Sequence, residues 1–157
     1  MRLTLLTPGR LRMPWLRDGC ELYLERLKHY APTRVVEVKE EPVQKGLDPL
    51  TVKKREADRL LEKLPDGALL VTLDEHGAGL TSVALANWLG KQRDAGIKDV
   101  AFVIGGPLGI HPDLLARAQL KLQLSDMTLP HELVRVILLE QVYRAFTILA
   151  GEPYHNP

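Results

Sequence analysis

The sequence has one cysteine, Cys20, among 157 residues. That excludes a disulfide within the chain and a Cys-rich metal site. Cys20 falls on a helical pattern and reads as a small core residue rather than a nucleophile. An excess of one charge sign is also lacking. Lys plus Arg number 21 and Asp plus Glu 20, a net charge of +1. The chain as a whole is therefore not a polybasic binder of nucleic acid or membrane. Locally the balance differs: Arg2, Arg10, Arg12 and Arg17 all precede the first acid, Asp18. No long apolar run is free of polar residues. The most apolar stretch, 133–150, contains Arg135, Glu140, Gln141 and Arg144, which argues against a membrane span. The opening MRLTLLTPGRLRMP breaks at Pro8 and Gly9, short of the apolar run a signal peptide needs. A reduced cytoplasm is the expected compartment. Repeats, linkers and low-complexity segments are missing as well, so 1–157 reads as a single domain with its own core.

What is present is alternation. Strand-like pieces at 2–7, 33–38, 68–73, 100–104 and 120–124 are separated by helical patterns at 14–29, 51–64, 82–93, 112–118 and 131–150. Thr81 or Ser82 suits the cap of the third helix, and Pro112 the first turn of the fourth. The segment 40–49, with two prolines and a glycine, reads as loop. DEHGAG, 74–79, reads as a turn. Apolar strands alternating with helices predict an α/β fold: a mostly parallel sheet of five or six strands with helices on both faces. In such sheets ligands sit outside the carboxyl ends of strands. Three bends qualify, after Leu73, Ile104 and Leu124.

The second bend, IGGPLG, is rich in glycine but lacks the Lys-Ser or Lys-Thr of a P-loop and the G-x-G-x-x-G of a dinucleotide site. Pro107 also removes an amide donor. Backbone approach to another kind of ligand and a bare tight turn both remain open from this loop alone. The third bend lies in LSDMTLPHELVR. Its backbone groups, with Met127 and Leu129 as apolar lining, suit a neutral base such as adenine. Asp126 has the alternative of satisfying local backbone amides.

The last helical pattern is apolar all round. Val134, Leu138, Val142, Ala145 and Leu149 form one stripe, and Leu133, Val136, Ile137 and Tyr143 occupy other directions. One small sheet covers one side of such a helix. Self-association is the expected cover for the rest. Glu140 and Arg144 stand four apart in the favourable order, so a helix-surface ion pair is one reading of Arg144. His29, His76 and His111 are expected at solvated turns, and His131 as a polar residue at the helix start. No histidine pair has metal-ligand spacing. His155 follows Tyr154 in a tail where disorder is the default, yet an aromatic and a titratable ring just after a buried helix invite a role.

Together, IGGPLG, SDMTLPHELVRVILLEQVYRAF and the terminal PYH resemble the ribosomal large-subunit pseudouridine methyltransferase H family, within the SPOUT or α/β-knot methyltransferases. LLTPGRLRMPWLRDGCELYLERL and TLDEHG are similar to it too, so the resemblance runs the length of the chain. It implies a trefoil knot near the C-terminus, a topology that general connection rules would not suggest. It implies S-adenosylmethionine as cofactor, bound bent in the knot by Leu73, Gly105, Leu124, Ser125, Asp126, Met127, Thr128 and Leu129. It also implies a homodimer through the last helix. The implied substrate is a pseudouridine of large-subunit (23S) ribosomal RNA, methylated at ring nitrogen N3 on assembled ribosomes. Such chemistry needs no metal, but a ring proton must leave, and histidine suits that task. The expectation places His155 at the target base as proton acceptor or orienting group. Tyr154 would stack on or bond the nucleotide, and Arg144 would contact phosphate or base. N-terminal basic residues would hold the RNA backbone. Two other classes stay open: a dimeric ribosome- or RNA-associated module without catalysis, and a nucleotide-using α/β enzyme.

Overall fold

Strands with apolar residues on both sides need cover on both faces. A computed structural model describes residues 1–156; Pro157, the end of the expected single domain, lies outside the described residues. Five parallel strands form one sheet in the order β2-β1-β4-β3-β5. They are β1 (Arg2–Pro8), β2 (Thr33–Val38), β3 (Leu69–Gly79), β4 (Asp99–Val103) and β5 (Leu120–Gln123). Between and after them run α1 (Pro14–Leu27), α2 (Pro49–Glu62), α3 (Ser82–Asp94), α4 (Pro112–Ala116) and α5 (His131–Ala150). Alternation along the strands builds two cores. Leu5, Val71 and Phe102 face Leu89, Leu138 and Val142 of α3 and α5. Leu6, Leu70 and Val103 face Leu60 of α2 and Leu114 of α4.

Helix ends follow local chemistry. Asp48 caps α2 by accepting from the Leu50 amide at 3.2 Å, with Pro49 in the first turn. The helix therefore starts two residues before the apolar pattern does. Thr81, not Ser82, caps α3, accepting from the Ala84 amide at 3.1 Å. The pattern 14–29 overshoots α1 because residues after Leu27 tighten into i→i+3 bonds, such as Tyr30 N–H to Leu27 O. His111 is not at a solvated turn. It is buried at the start of α4, where Nδ1 accepts from the Asp113 amide at 3.2 Å.

Two departures matter for the site. The segment 74–79 is not a simple turn, because β3 runs on to Gly79. Leu73 and Ala78 both stand opposite Leu122 of β5, so residues 74–77 bulge out of the ladder. Gly77 is required there: a Cβ would lie 2.6 Å from the Lys121 carbonyl oxygen. The second departure concerns α5. The helix is flanked by α1 and α3 on the sheet, and only Ala150 of its residues is exposed. Seven of its residues are buried, and Leu133, Val136, Ile137 and Tyr143 are among those left partly exposed, so the chain covers α5 only in part.

Arg135 went unremarked in the sequence except as a charge, yet it is 1 % exposed. Its Nη2 donates to the carbonyls of Pro8 (2.9 Å) and Gly9 (3.0 Å), and Nη1 to Glu37 at 3.0 Å. One guanidinium thereby ties α5 to the carboxyl ends of β1 and β2. Nearby Cys20 is buried as expected, and burial pushes its thiol up to about 11. The thiolate is the reactive form. Iodoacetamide at pH 8 should therefore label the folded protein at least roughly tenfold more slowly than the chain in denaturant. Equal labelling rates, followed by mass spectrometry, would contradict the burial of Cys20.

Candidate functional site

β4, β3 and β5 are neighbours in the sheet, so the bends that follow them lie side by side. They enclose a cavity of about 590 Å³, a size usual for small-molecule sites. The bulge after Leu73 contributes Asp74, Glu75 and His76, the glycine loop forms a second wall, and the segment after β5 forms a third. α2 adds Lys53, and the first turn of α5 adds His131 and Val134.

Of the residues expected to hold a cofactor, Leu73, Gly105, Leu124, Ser125, Met127, Thr128 and Leu129 line this cavity. Asp126 does not; its Oδ1 accepts from Gln123 Nε2 at 3.2 Å. The contact is local, but its donor is a side-chain amide and not the backbone amides expected for Asp126. Ser125 Oγ accepts from the Met127 amide at 2.9 Å, a side-chain turn that leaves Met127 78 % exposed. The glycine loop closes on itself, the Gly109 amide bonding the Gly106 carbonyl at 2.9 Å. A Cβ on Gly105 would lie 2.8 Å from both Gly109 C and Ile110 Cγ1.

Beneath the loop lies Glu56, a residue with no motif to advertise it. It is buried on α2; Oε1 accepts from the Glu41 amide at 3.0 Å. Its Oε2 would meet a Cβ on Gly106 at 2.7 Å. Burial raises this carboxyl above its ordinary range. Lys53 and Glu56 were legible only as charges on a charged helix.

The other expected residues gather at the far end of α5. Gly151 ends the helix in the left-handed region, at φ +71°. The tail then folds back, with the Glu152 carboxylate accepting from Tyr30 OH at 2.6 Å. Tyr154 OH donates to Glu140 Oε1 at 3.1 Å, and Arg144 donates to the same oxygen at 2.5 and 3.0 Å. The Arg144 guanidinium lies 4.7 Å from the Tyr154 ring centre and 3.5 Å from His155 Nδ1. The ion pair of Arg144 and its meeting with the tail thus coexist. Burial, helped by hydrogen bonding, pushes the Tyr154 phenol well up, and Glu140 raises Arg144.

Within one chain these two groups do not meet. Val134 lines the cavity, and Arg144 is ten residues further along the same helix, about 15 Å at helical rise. Of the N-terminal basic residues, Arg10, Arg12 and Arg17 are exposed near the α5 start, where the Arg12 amide bonds Glu132 at 3.2 Å. Arg2 is apart from them, paired with Asp99 at 2.6 Å at the opposite end of β1. Among the described residues no cluster of three or more His, Cys, Asp or Glu has metal-binding geometry. Among the described residues no helix is long and apolar enough to cross a membrane.

Comparison with known proteins adds to this geometry. The family model described as "Predicted SPOUT methyltransferase" matches residues 1–155. A protein of Geobacter sp. (strain M21), called ribosomal RNA large subunit methyltransferase H, is 46% identical over 156 residues, covering 99% of each chain. A protein of the same name from Acetivibrio thermocellus is 45% identical over 159 residues, covering 99% of this chain and all of that one. Among solved structures, a probable methylase family protein from Haemophilus influenzae Rd KW20 superposes with a TM-score of 0.54. Its identity is 10%, and the match covers 95% of this chain and 66% of that one. TrmJ from Z. mobilis ZM4 gives 0.51 at 13% identity, covering 100% and 72%. At such identities the likeness is one of fold.

Proposed function

The chain belongs to the SPOUT methyltransferase family and has its α/β-knot fold; from that premise we propose that it methylates ring nitrogen N3 of a pseudouridine in large-subunit (23S) ribosomal RNA, on assembled ribosomes, with S-adenosylmethionine as methyl donor. The observation that carries the reading is the convergence of three neighbouring strand ends on one cavity. The cavity suits the donor in kind. Backbone edges beside Leu124, Met127 and Leu129 match a flat base, and Lys53 on one wall with Asp74 and Glu75 on another match a charged amino-acid arm. Leu73, Gly105, Leu124, Ser125, Met127, Thr128 and Leu129 would hold it, and Asp126 would support the loop from outside the cavity.

When bound, the donor supplies a methyl group already activated on a sulfonium. The protein's own task is to align the base and to release its N3 proton. Arg144, Tyr154 and His155 serve that task from a second subunit. An antiparallel two-fold pairing of α5 with its copy brings one chain's tail to the other's cavity, spanning the separation that one helix imposes. The homodimer is thus proposed from the distance along α5 and from the apolar residues that helix leaves partly exposed. Arg144 only donates, so its contact with His155 Nδ1 is a hydrogen bond when that nitrogen is unprotonated. The neutral ring then carries its proton on Nε2 and presents a donor to a carbonyl oxygen of the base. In this arrangement His155 orients the base, the N3 proton passes to water as the methyl leaves the sulfonium, and Arg10, Arg12 and Arg17 hold RNA backbone.

The test is mass spectrometry of ribosomal RNA from cells with and without the protein. One monomethylated pseudouridine present only with the protein is expected. In vitro, the purified protein should transfer methyl to ribosomes lacking that mark. Identical RNA from both cells, with no transfer in vitro, would leave a binding module as the reading.

A further inference from the structure

Resting on the donor reading above, we infer that Lys53 is the anchor for the carboxylate of the donor's amino-acid arm. α2 buries Val52, Glu56, Ala57 and Leu60 against the sheet. Lys53 stands beside that face, half-buried, and lines the cavity. Its Nζ is 3.8 Å from where a Cβ on Gly109 would sit. Gly109 has φ +88°, and with no side chain it leaves the space between ammonium and loop open.

The neighbouring cations of α2 all have partners. Arg55 and Arg59 each reach Glu41 at 2.6 Å, and Lys54 reaches Asp58 at 2.5 Å. Lys53 has no carboxylate in salt-bridge range among the described residues. Glu56, one turn on, is engaged with the Glu41 amide and the underside of the glycine loop. A half-buried ammonium with three donors and no acceptor is set for an anion. The remaining acids on the cavity wall, Asp74 and Glu75, come from the β3 bulge. One wall is cationic and another anionic, which matches a zwitterion carrying a carboxylate and an ammonium. A phosphate or a bare adenosine would use only part of that arrangement.

Calorimetric titration separates the arm from the rest. S-Adenosylhomocysteine carries the amino-acid arm, and 5′-methylthioadenosine has the same nucleoside and sulfur without it. Lys53→Met is expected to weaken S-adenosylhomocysteine by about tenfold and to leave 5′-methylthioadenosine unchanged. Lys53→Arg should restore most of the loss. An unchanged unfolding midpoint for both variants goes with this result, and Lys53→Gln replaces Lys53→Met if the latter does not fold. Equal weakening of both ligands, or no weakening of either, overturns the assignment. So does a loss confined to ribosome binding, which would put the ammonium on RNA. If the unsubstituted protein binds neither ligand, the donor reading itself falls and this assignment with it.

Discussion

Arg135→Ala is expected to destabilise the fold by about 3–5 kcal/mol, read as a lowered urea midpoint. The substitution strands buried polar groups. Arg135 is buried, and its two terminal nitrogens satisfy Glu37 and the carbonyls of Pro8 and Gly9. Alanine would leave two main-chain acceptors and a carboxylate without their donor, and would open a cavity under α5. Glu37 keeps a third of its side chain in water, so the ion pair alone accounts for the smaller part. The carbonyls at the end of β1 account for more. Lysine should recover little, because one ammonium on a flexible stem cannot reproduce a planar fork to three acceptors. Glu37→Gln should cost much less than Arg135→Ala. Equal costs for the two, or an unchanged midpoint in Arg135→Ala, would contradict the clasp.

Under the proposed function, His155→Ala should lower methyl transfer on ribosomes by roughly 10²-fold, the usual penalty when a positioning contact at the reacting centre is lost. Donor affinity should be unchanged, since His155 is placed at the base and not among the residues that hold the donor. The companion variant is His155→Gln. If the ring serves as an Nε2–H donor, a side-chain amide can replace it, and Gln should recover much of the rate. If the ring must take the N3 proton, Gln should be as poor as Ala, because an amide does not titrate in this range. Single-turnover transfer rates on ribosomes distinguish the two. Undiminished transfer by His155→Ala would remove the residue from the chemistry. Mixed dimers of His155→Ala and Gly105→Ala chains give a second readout: with the tail acting across the dimer, one of the two sites should keep both intact parts.

The sheet was legible because its strands are short apolar or alternating runs and because prolines, glycines and capping residues punctuate them. Leu69–Gly79 was harder. Its second half, rich in polar residues and glycine, reads as a turn, and it extends the strand only because β5 supplies a partner beyond the bulge. The helix α5 shows a different limit. Its pattern announces burial on every side, but pattern cannot say whether the cover comes from α1 and α3 or from a second copy. Asp126 and Ser125 were visible as loop residues, yet which of them faces the cavity depends on a hydrogen bond to Gln123.

Periodicity and punctuation, which act over a few residues, determined the parallel α/β class and the three bends where a ligand would sit. The motifs pointed to the family for the same reason: they are contiguous in the chain. Tertiary structure alone decided the rest. Arg135 meets Pro8 and Gly9 across more than a hundred residues, Lys53 and Glu56 reach the glycine loop from another helix, and the tail meets Arg144 ten residues along α5 from Val134 at the cavity. Buried polar groups must find partners wherever the fold places them, and no local pattern records which distant residue that will be.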